Sequence, residues 1–170
     1  MKKYIIILLG LVILNGCTSD KTIEKTTEPD VVVDTAAEEE AVNAIIKTYK
    51  DALEKLTING TLELFSNDSQ VFESGGNEGT YKNYTEHHLG PELEHFKSFQ
   101  FSDYKLETTV SLPYAFTTEF YVYTIILADD EREIKQKGMA TSVLRKDNGK
   151  WKIIKTHSSA RRFSAGHGGH

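Results

Sequence analysis

The hydrophobic period of this chain changes once, from about 3.6 residues to about 2, and that change decides what it can fold into. Val42, Ile45, Ile46, Tyr49, Leu53 and Leu56 recur at spacings of three, four and seven, an apolar stripe along one long helix. Downstream the spacing is that of strands. Tyr104, Leu106, Val110 and Leu112 alternate in one strand, and Phe116, Phe120, Val122 and Ile126 in the next. Tyr121, Tyr123, Ile125 and Leu127 line the opposite face of that second strand. A further strand runs from Ile134 to Arg145. Asp147-Asn148-Gly149-Lys150 is a hairpin turn, and Trp151 to Ser158 is the last strand. Long strands joined by short turns make an antiparallel meander, and one of its faces has to be buried under the amphipathic helix. The pattern predicts an α+β domain.

Between the long helix and the meander the signals are shorter. Thr35 with Glu38 three residues on fits a capping box, and Glu38, Glu39 and Glu40 sit where the helix dipole favours negative charge. Thr61 to Phe65 reads as a short second helix, and Gln70 to Glu73 as a short strand running into the Ser74–Gly79 turn cluster. Tyr81 to Leu89 reads as another helix. Gly90-Pro91 is expected to interrupt it, because the residue before a proline is biased away from the helical region, leaving Glu92 to Phe96 as a separate turn. The folded domain is expected at 35–163, with the glycine-rich residues 164–170 as a flexible tail.

The amino end carries a different message. Lys2 and Lys3 precede an apolar run from Tyr4 to Leu14, broken only by Gly10, which closes in Leu14-Asn15-Gly16-Cys17. A charged start and an apolar stretch of this length make an export signal, too short to cross a bilayer as a helix. The segment resembles a bacterial lipoprotein signal, in which cleavage precedes the cysteine. That resemblance implies a signal peptide at 1–16 and a lipidated, N-acylated Cys17 as the membrane anchor, two or three buried chains being enough for stable attachment. Residues 17–34, rich in Thr, Lys, Asp and Glu, then read as a disordered tether. The expected location is the bacterial cell envelope, with the domain facing the periplasm or the cell exterior. Cys17 is the single cysteine, so an internal disulfide and a cysteine-built zinc site are excluded. A net charge of −5 argues against a nucleic-acid partner, which calls for a basic stripe.

The order of elements, together with the first-helix stripe, the strand-to-glycine turn from Val71 to Gly79 and the run Asp147-Asn148-Gly149-Lys150-Trp151-Lys152-Ile153-Ile154 leading to His157-Ser158-Ser159, resembles the nuclear transport factor 2-like superfamily. Within it the likeness is to the SnoaL-like, ketosteroid-isomerase-like small proteins. The resemblance implies a cone-shaped roll: a curved antiparallel sheet wrapped around N-terminal helices, with a pocket at the open end. It also implies a homodimer through the sheet. Members include isomerases, dehydratases, cyclases and non-enzymatic binding modules, so fold alone does not settle function.

Candidate chemistry centres on histidines. On the helix, Tyr81, Tyr84 and His88 share a face by the three-four-seven rule. In the last strand, strict alternation puts His157 on the face of Trp151 and Ile153. The expected site is therefore His88 and His157 with Glu73 or Glu92 beside them, and with Tyr84 and Trp151 contributing to a ligand pocket. Three readings fit: polar residues at a pocket rim, a divalent metal ion held by His88, His157 and Glu92, and an acid/base pair of His88 and His157. Glu119 shares a face with Tyr121 and Tyr123. It is expected at a solvent-exposed sheet or dimer edge, with a pocket carboxylate as the alternative. The function expected from these features is a membrane-tethered domain that binds a small molecule or metal ion. The alternative is a lyase or isomerase using histidine acid/base catalysis in the same pocket.

Overall fold

The computed structural model of the protein describes residues 34–163. The expected signal peptide at 1–16, Cys17 with the expected tether as far as residue 33, and the expected tail at 164–170 lie outside the described residues. The long helix, α1 (Thr35–Glu54), starts one residue earlier than its capping pattern implies. Asp34 is the N-cap, and its Oδ1 accepts from the Ala37 N–H at 3.2 Å. Glu38 is thereby released from capping and reaches across the domain. It accepts from Lys146 and, at 2.8 Å, from the indole N–H of Trp151. At the other end of the helix, Glu54 Oε1 accepts from the Phe101 N–H at 3.0 Å, and this ties α1 to the strand beneath it.

A 3-10 turn (Thr61–Leu64) leads into β1 (Phe65–Glu73), which is longer than the expected Gln70–Glu73 strand. The glycine cluster supplies a four-residue partner, β2 (Gly76–Gly79). The helix that follows does not stop at Gly90-Pro91. α2 (Tyr81–Tyr84), a π-turn (Thr85–Leu89) and α3 (Gly90–Glu94) run on without a break. The wider turn hands the Gly90 N–H to the carbonyl of Thr85, five residues back. Pro91 then enters in the first turn of α3, where a missing N–H leaves no helical bond unmade. A Cβ on residue 90 would collide with that same Thr85 carbonyl, so the turn needs glycine.

β3 (Phe96–Ser111), β4 (Tyr114–Leu127), β5 (Glu133–Asp147) and β6 (Lys150–Arg162) form the meander. Of the segment expected as a separate turn after Pro91, Glu92–Glu94 belongs to α3 and only Phe96 to β3. The sheet order is β2-β1-β6-β5-β4-β3. β1 runs parallel to β6 and every other pairing is antiparallel, so the curved sheet is mixed rather than wholly antiparallel. The architecture is otherwise the expected α+β roll. Val42, Ile46, Phe65, Leu144, Trp151 and Ile153 belong to one packed cluster under the first half of α1.

One irregularity governs the site. In β6, Ile153 pairs with Leu144 and Lys155 with Val143, so Ile154 is an extra residue, a β-bulge. A single extra residue reverses every later side chain across the sheet. Trp151 and Ile153 point inward before the bulge, and Thr156 and Ser158 point inward after it. His157 is turned to the outer face, exposed, where its ring meets Phe72 edge-on at 6.5 Å and lies beside Lys155.

Candidate functional site

The second half of α1, the α2–α3 helix and the inner face of the sheet enclose a cavity of about 160 Å³. Its walls are aromatic: Tyr49 from α1, Phe96, Phe99 and Phe101 from β3, and Tyr121 and Tyr123 from β4. Phe99 and Phe101 stack at 4.9 Å, and Tyr121 meets Phe101 edge-on at 5.1 Å. Gly138 is the cross-strand partner of Tyr121, and the tyrosine ring lies over it so closely that any Cβ there would displace the ring. Ser142 and Thr156 share a hydrogen bond of 2.9 Å on the floor.

Two carboxylate–tyrosine pairs enter this apolar space. The Tyr84 hydroxyl donates to Glu73 Oε2, and the Tyr104 hydroxyl donates to Glu119 Oε2, both at 2.7 Å. The pairs are built in opposite senses. In the first the tyrosine is buried and the carboxylate half-buried. In the second the carboxylate is only 9% exposed and the tyrosine half-buried. Burial pushes the Glu119 carboxyl above the usual carboxylate range, against the downward pull of the Tyr104 hydrogen bond and the Lys50 charge. Burial, then the charge of the neighbouring glutamate, raises Tyr84 and Tyr104 far above an ordinary phenol, so both remain donors at any physiological pH. Glu119 is thus an interior carboxylate, which corrects the solvent-exposed position expected for it.

His88 stands behind the mouth of the cavity. Its Nδ1 lies 3.0 Å from Glu78 Oε2 and its Nε2 lies 3.3 Å from Glu92 Oε1. The ring packs edge-on against Tyr84 at 5.2 Å, which is the shared helix face expected from the spacing. The hydrogen bond to Glu78 raises the imidazole above its ordinary value. The charges of Glu92, Glu73 and Glu78 add to this, and partial desolvation opposes it. With a carboxylate at each nitrogen, His88 links β2 to α3. The π-turn makes this possible, because the unbroken helix keeps His88 and Glu92 one turn apart.

The expected ligand set therefore divides. Glu73, Tyr84 and Glu92 line the cavity, and His88 braces Tyr84 and Glu92 from behind. His157 is on the outer face and does not meet His88, because the Ile154 bulge inverts it. Trp151 is buried against α1 with its N–H on Glu38, outside the cavity lining. Among the described residues, no group of three or more His, Cys, Asp or Glu side chains is arranged to hold a metal ion. Sequence reasoning missed Tyr104, Lys50 and the Phe96–Phe101 wall. The Phe96-Lys97-Ser98-Phe99-Gln100-Phe101 run was the available signal, since two of its phenylalanines keep strand alternation straight after the proline-bearing helix.

Comparison with known proteins agrees with this architecture. No curated protein matches the chain in sequence. A nuclear transport factor 2-like superfamily protein from Salmonella enterica serovar Typhimurium superposes with a TM-score of 0.66 at 20% identity, covering 80% of this chain and 99% of that one. A hexachlorocyclohexane dehydrochlorinase, LinA-type3, from Novosphingobium barchaimii gives 0.63 at 17% identity, covering 81% and 95%. A proposed ketosteroid isomerase from Shewanella frigidimarina gives 0.60 at 23%, covering 70% and 94%. At these identities the likeness is one of fold. The SnoaL-like domain model matches residues 42–162, most of the chain and nearly all of the described fold, and the chain belongs to the SnoaL-like family of nuclear transport factor 2-like proteins.

Proposed function

We propose that this chain is a lipid-anchored domain of the bacterial cell envelope that binds a small organic molecule in the aromatic cavity. The observation that carries the binding reading is the lining itself: an apolar, ring-walled space into which a few polar side chains converge, the usual composition of a small-molecule site. A cavity of about 160 Å³ is close to the ~150 Å³ at which an apolar protein cavity takes up one benzene ring. The occupant is accordingly of about single-ring size. The anchor reading rests on the residues around Cys17 and is tested separately: Cys17→Ser should release the chain from the membrane fraction or leave its precursor uncleaved. Retention of an unmodified Cys17 in the membrane would overturn it.

The binding reading is tested by ligand-observed NMR with single-ring probes. Saturation transfer should be seen in the wild type and lost in Gly138→Leu, whose side chain forces Tyr121 into the cavity. Equal transfer to both proteins would place the probes elsewhere. A second reading, proton-transfer catalysis of the lyase or isomerase kind, is favoured by one observation. Glu119 is a carboxyl pushed upward inside an apolar pocket, the condition of a general acid or base. In that reading Glu119 takes the role first expected of the two histidines, and Glu119→Gln abolishes turnover while ligand binding survives.

A further inference from the structure

The cavity is acidic as well as aromatic, and its charges do not cancel. Among the described residues that line it, Glu73, Glu92 and Glu119 stand against one cation, Lys50, with His88 beside Glu92 from behind. That cation is already engaged: Lys50 Nζ lies 2.7 Å from Glu54 Oε2 and 3.5 Å from Asp51 Oδ1. Its ammonium sits 5.6 Å from the ring centres of both Phe101 and Tyr104, so the chain itself places an alkylammonium on this wall. Tyr84 and Tyr104 each engage only Oε2 of their glutamate. Glu119, a side chain nine-tenths buried, lines the cavity.

We propose that the ligand of this cavity is a cationic amine carried on a single ring, its ammonium drawn to the carboxylate row of Glu73 and Glu119 and its ring against Phe99, Phe101, Tyr121 and Tyr123. This rests on the reading of the cavity as a small-molecule site and names the class of molecule it takes. Through the cross-strand partners Ser158 and Ala140, Glu73 and Glu119 lie in one row across the sheet, with β6 and β5 between them. An ammonium has three donors and no acceptor, matching a pair of carboxylates whose only other partners are tyrosine hydroxyls. An anion of the same size would be desolvated beside three carboxylates, a cost with no compensating partner. Burial opposes ionisation of Glu119 in the empty cavity, and a bound ammonium works the other way and draws it back to its charged form.

The test uses three probes with one ring and different heads: benzylamine, benzyl alcohol and benzoate, titrated calorimetrically into the purified full chain at neutral pH. Benzylamine should bind about tenfold tighter than benzyl alcohol, the scale of one desolvated cation–π or charge-assisted contact, and benzoate should bind more weakly than either. Glu73→Gln and Glu119→Gln should each erase most of the preference for benzylamine over benzyl alcohol. Circular dichroism and thermal melting show that the variants remain folded. Benzyl alcohol or benzoate binding as tightly as benzylamine would overturn the charge assignment and leave the cavity reading intact. Failure of all three to bind would overturn both.

Discussion

The two halves of α1 carry the same apolar stripe and do opposite work. Val42 and Ile46, on the amino-terminal side of Tyr49, are 0% and 1% exposed and belong to a filled cluster with Leu144, Trp151 and Ile153. Tyr49 and Leu53, in the second half, face an open cavity with Lys50 beside them. The helix is continuous, so the difference lies in what the sheet brings to meet it. Facing the first half, the sheet supplies aliphatic residues and one tryptophan. Facing the second, it supplies rings held apart by their own edges and two carboxylates that cannot collapse into an apolar core. A filled end that fixes the sheet on the helix allows the other end to stay unfilled, and the cavity persists because stability comes from elsewhere.

That division can be broken by substitution. The largest effect is expected at the filled end: Ile46→Ala should cost about 2–5 kcal/mol in denaturant unfolding, the range for truncating a fully buried aliphatic side chain, with ring binding unchanged in what remains folded. Glu119→Gln, at the open end, should alter the pH dependence. A carboxyl raised on folding is a stabilising influence below its unfolded value, lost as pH rises through the folded one, at about 1.4 kcal/mol per unit of difference. The wild type should therefore lose stability from about pH 4 upward relative to the variant, read as the difference between their melting curves across pH. Equal pH profiles would place Glu119 in water. Tyr81→Phe removes the 2.9 Å hydrogen bond to Thr61 at the boundary between the halves and should cost about 0.5–1.5 kcal/mol. The smallest effect is His88→Ala, under about 1 kcal/mol as befits a partly exposed ion pair. Its sign with pH is fixed. The contribution is present below the ordinary histidine value of ~6.5 and disappears as pH rises through the raised one.

The sequence made the first half of this comparison legible and part of the second. The 3.6-residue stripe of α1 and the alternation of β4 depend only on local period, and both appear where expected. Tyr84 and His88 meet for the same reason, being four residues apart on one helix. Two local irregularities hid the rest. The bulge at Ile154 reversed His157, and nothing in Trp151-Lys152-Ile153-Ile154-Lys155 marks where an extra residue enters, because both isoleucines suit either face. The π-turn carried the helix through Gly90-Pro91, and a rule about proline in an α-helix does not anticipate a wider turn. Glu119 kept its predicted face, but that face proved to be the interior. A glutamate in a strand is exposed by default, and Tyr104, fifteen residues away and paired through the fold, together with the Lys50 charge makes its burial tolerable. The parallel β1–β6 contact has no local signature at all.

That parallel contact has a consequence for the order of assembly. β1 ends at residue 73 and its sheet neighbour β6 begins at residue 150, so nearly the whole domain must be in place before the two can pair. The meander from β3 to β6 closes through short turns, whereas β1 must wait for a long loop to be drawn in, and closing long loops is the slow part of folding. Glu73 sits at the end of β1, opposite Ser158 of β6. One carboxylate of the cavity is therefore fixed in position by the last strand to be synthesised. Chains ending before residue 150 should hold a hairpin of rings with Glu119 in place and Glu73 not yet fixed, and the complete cavity should arrive late.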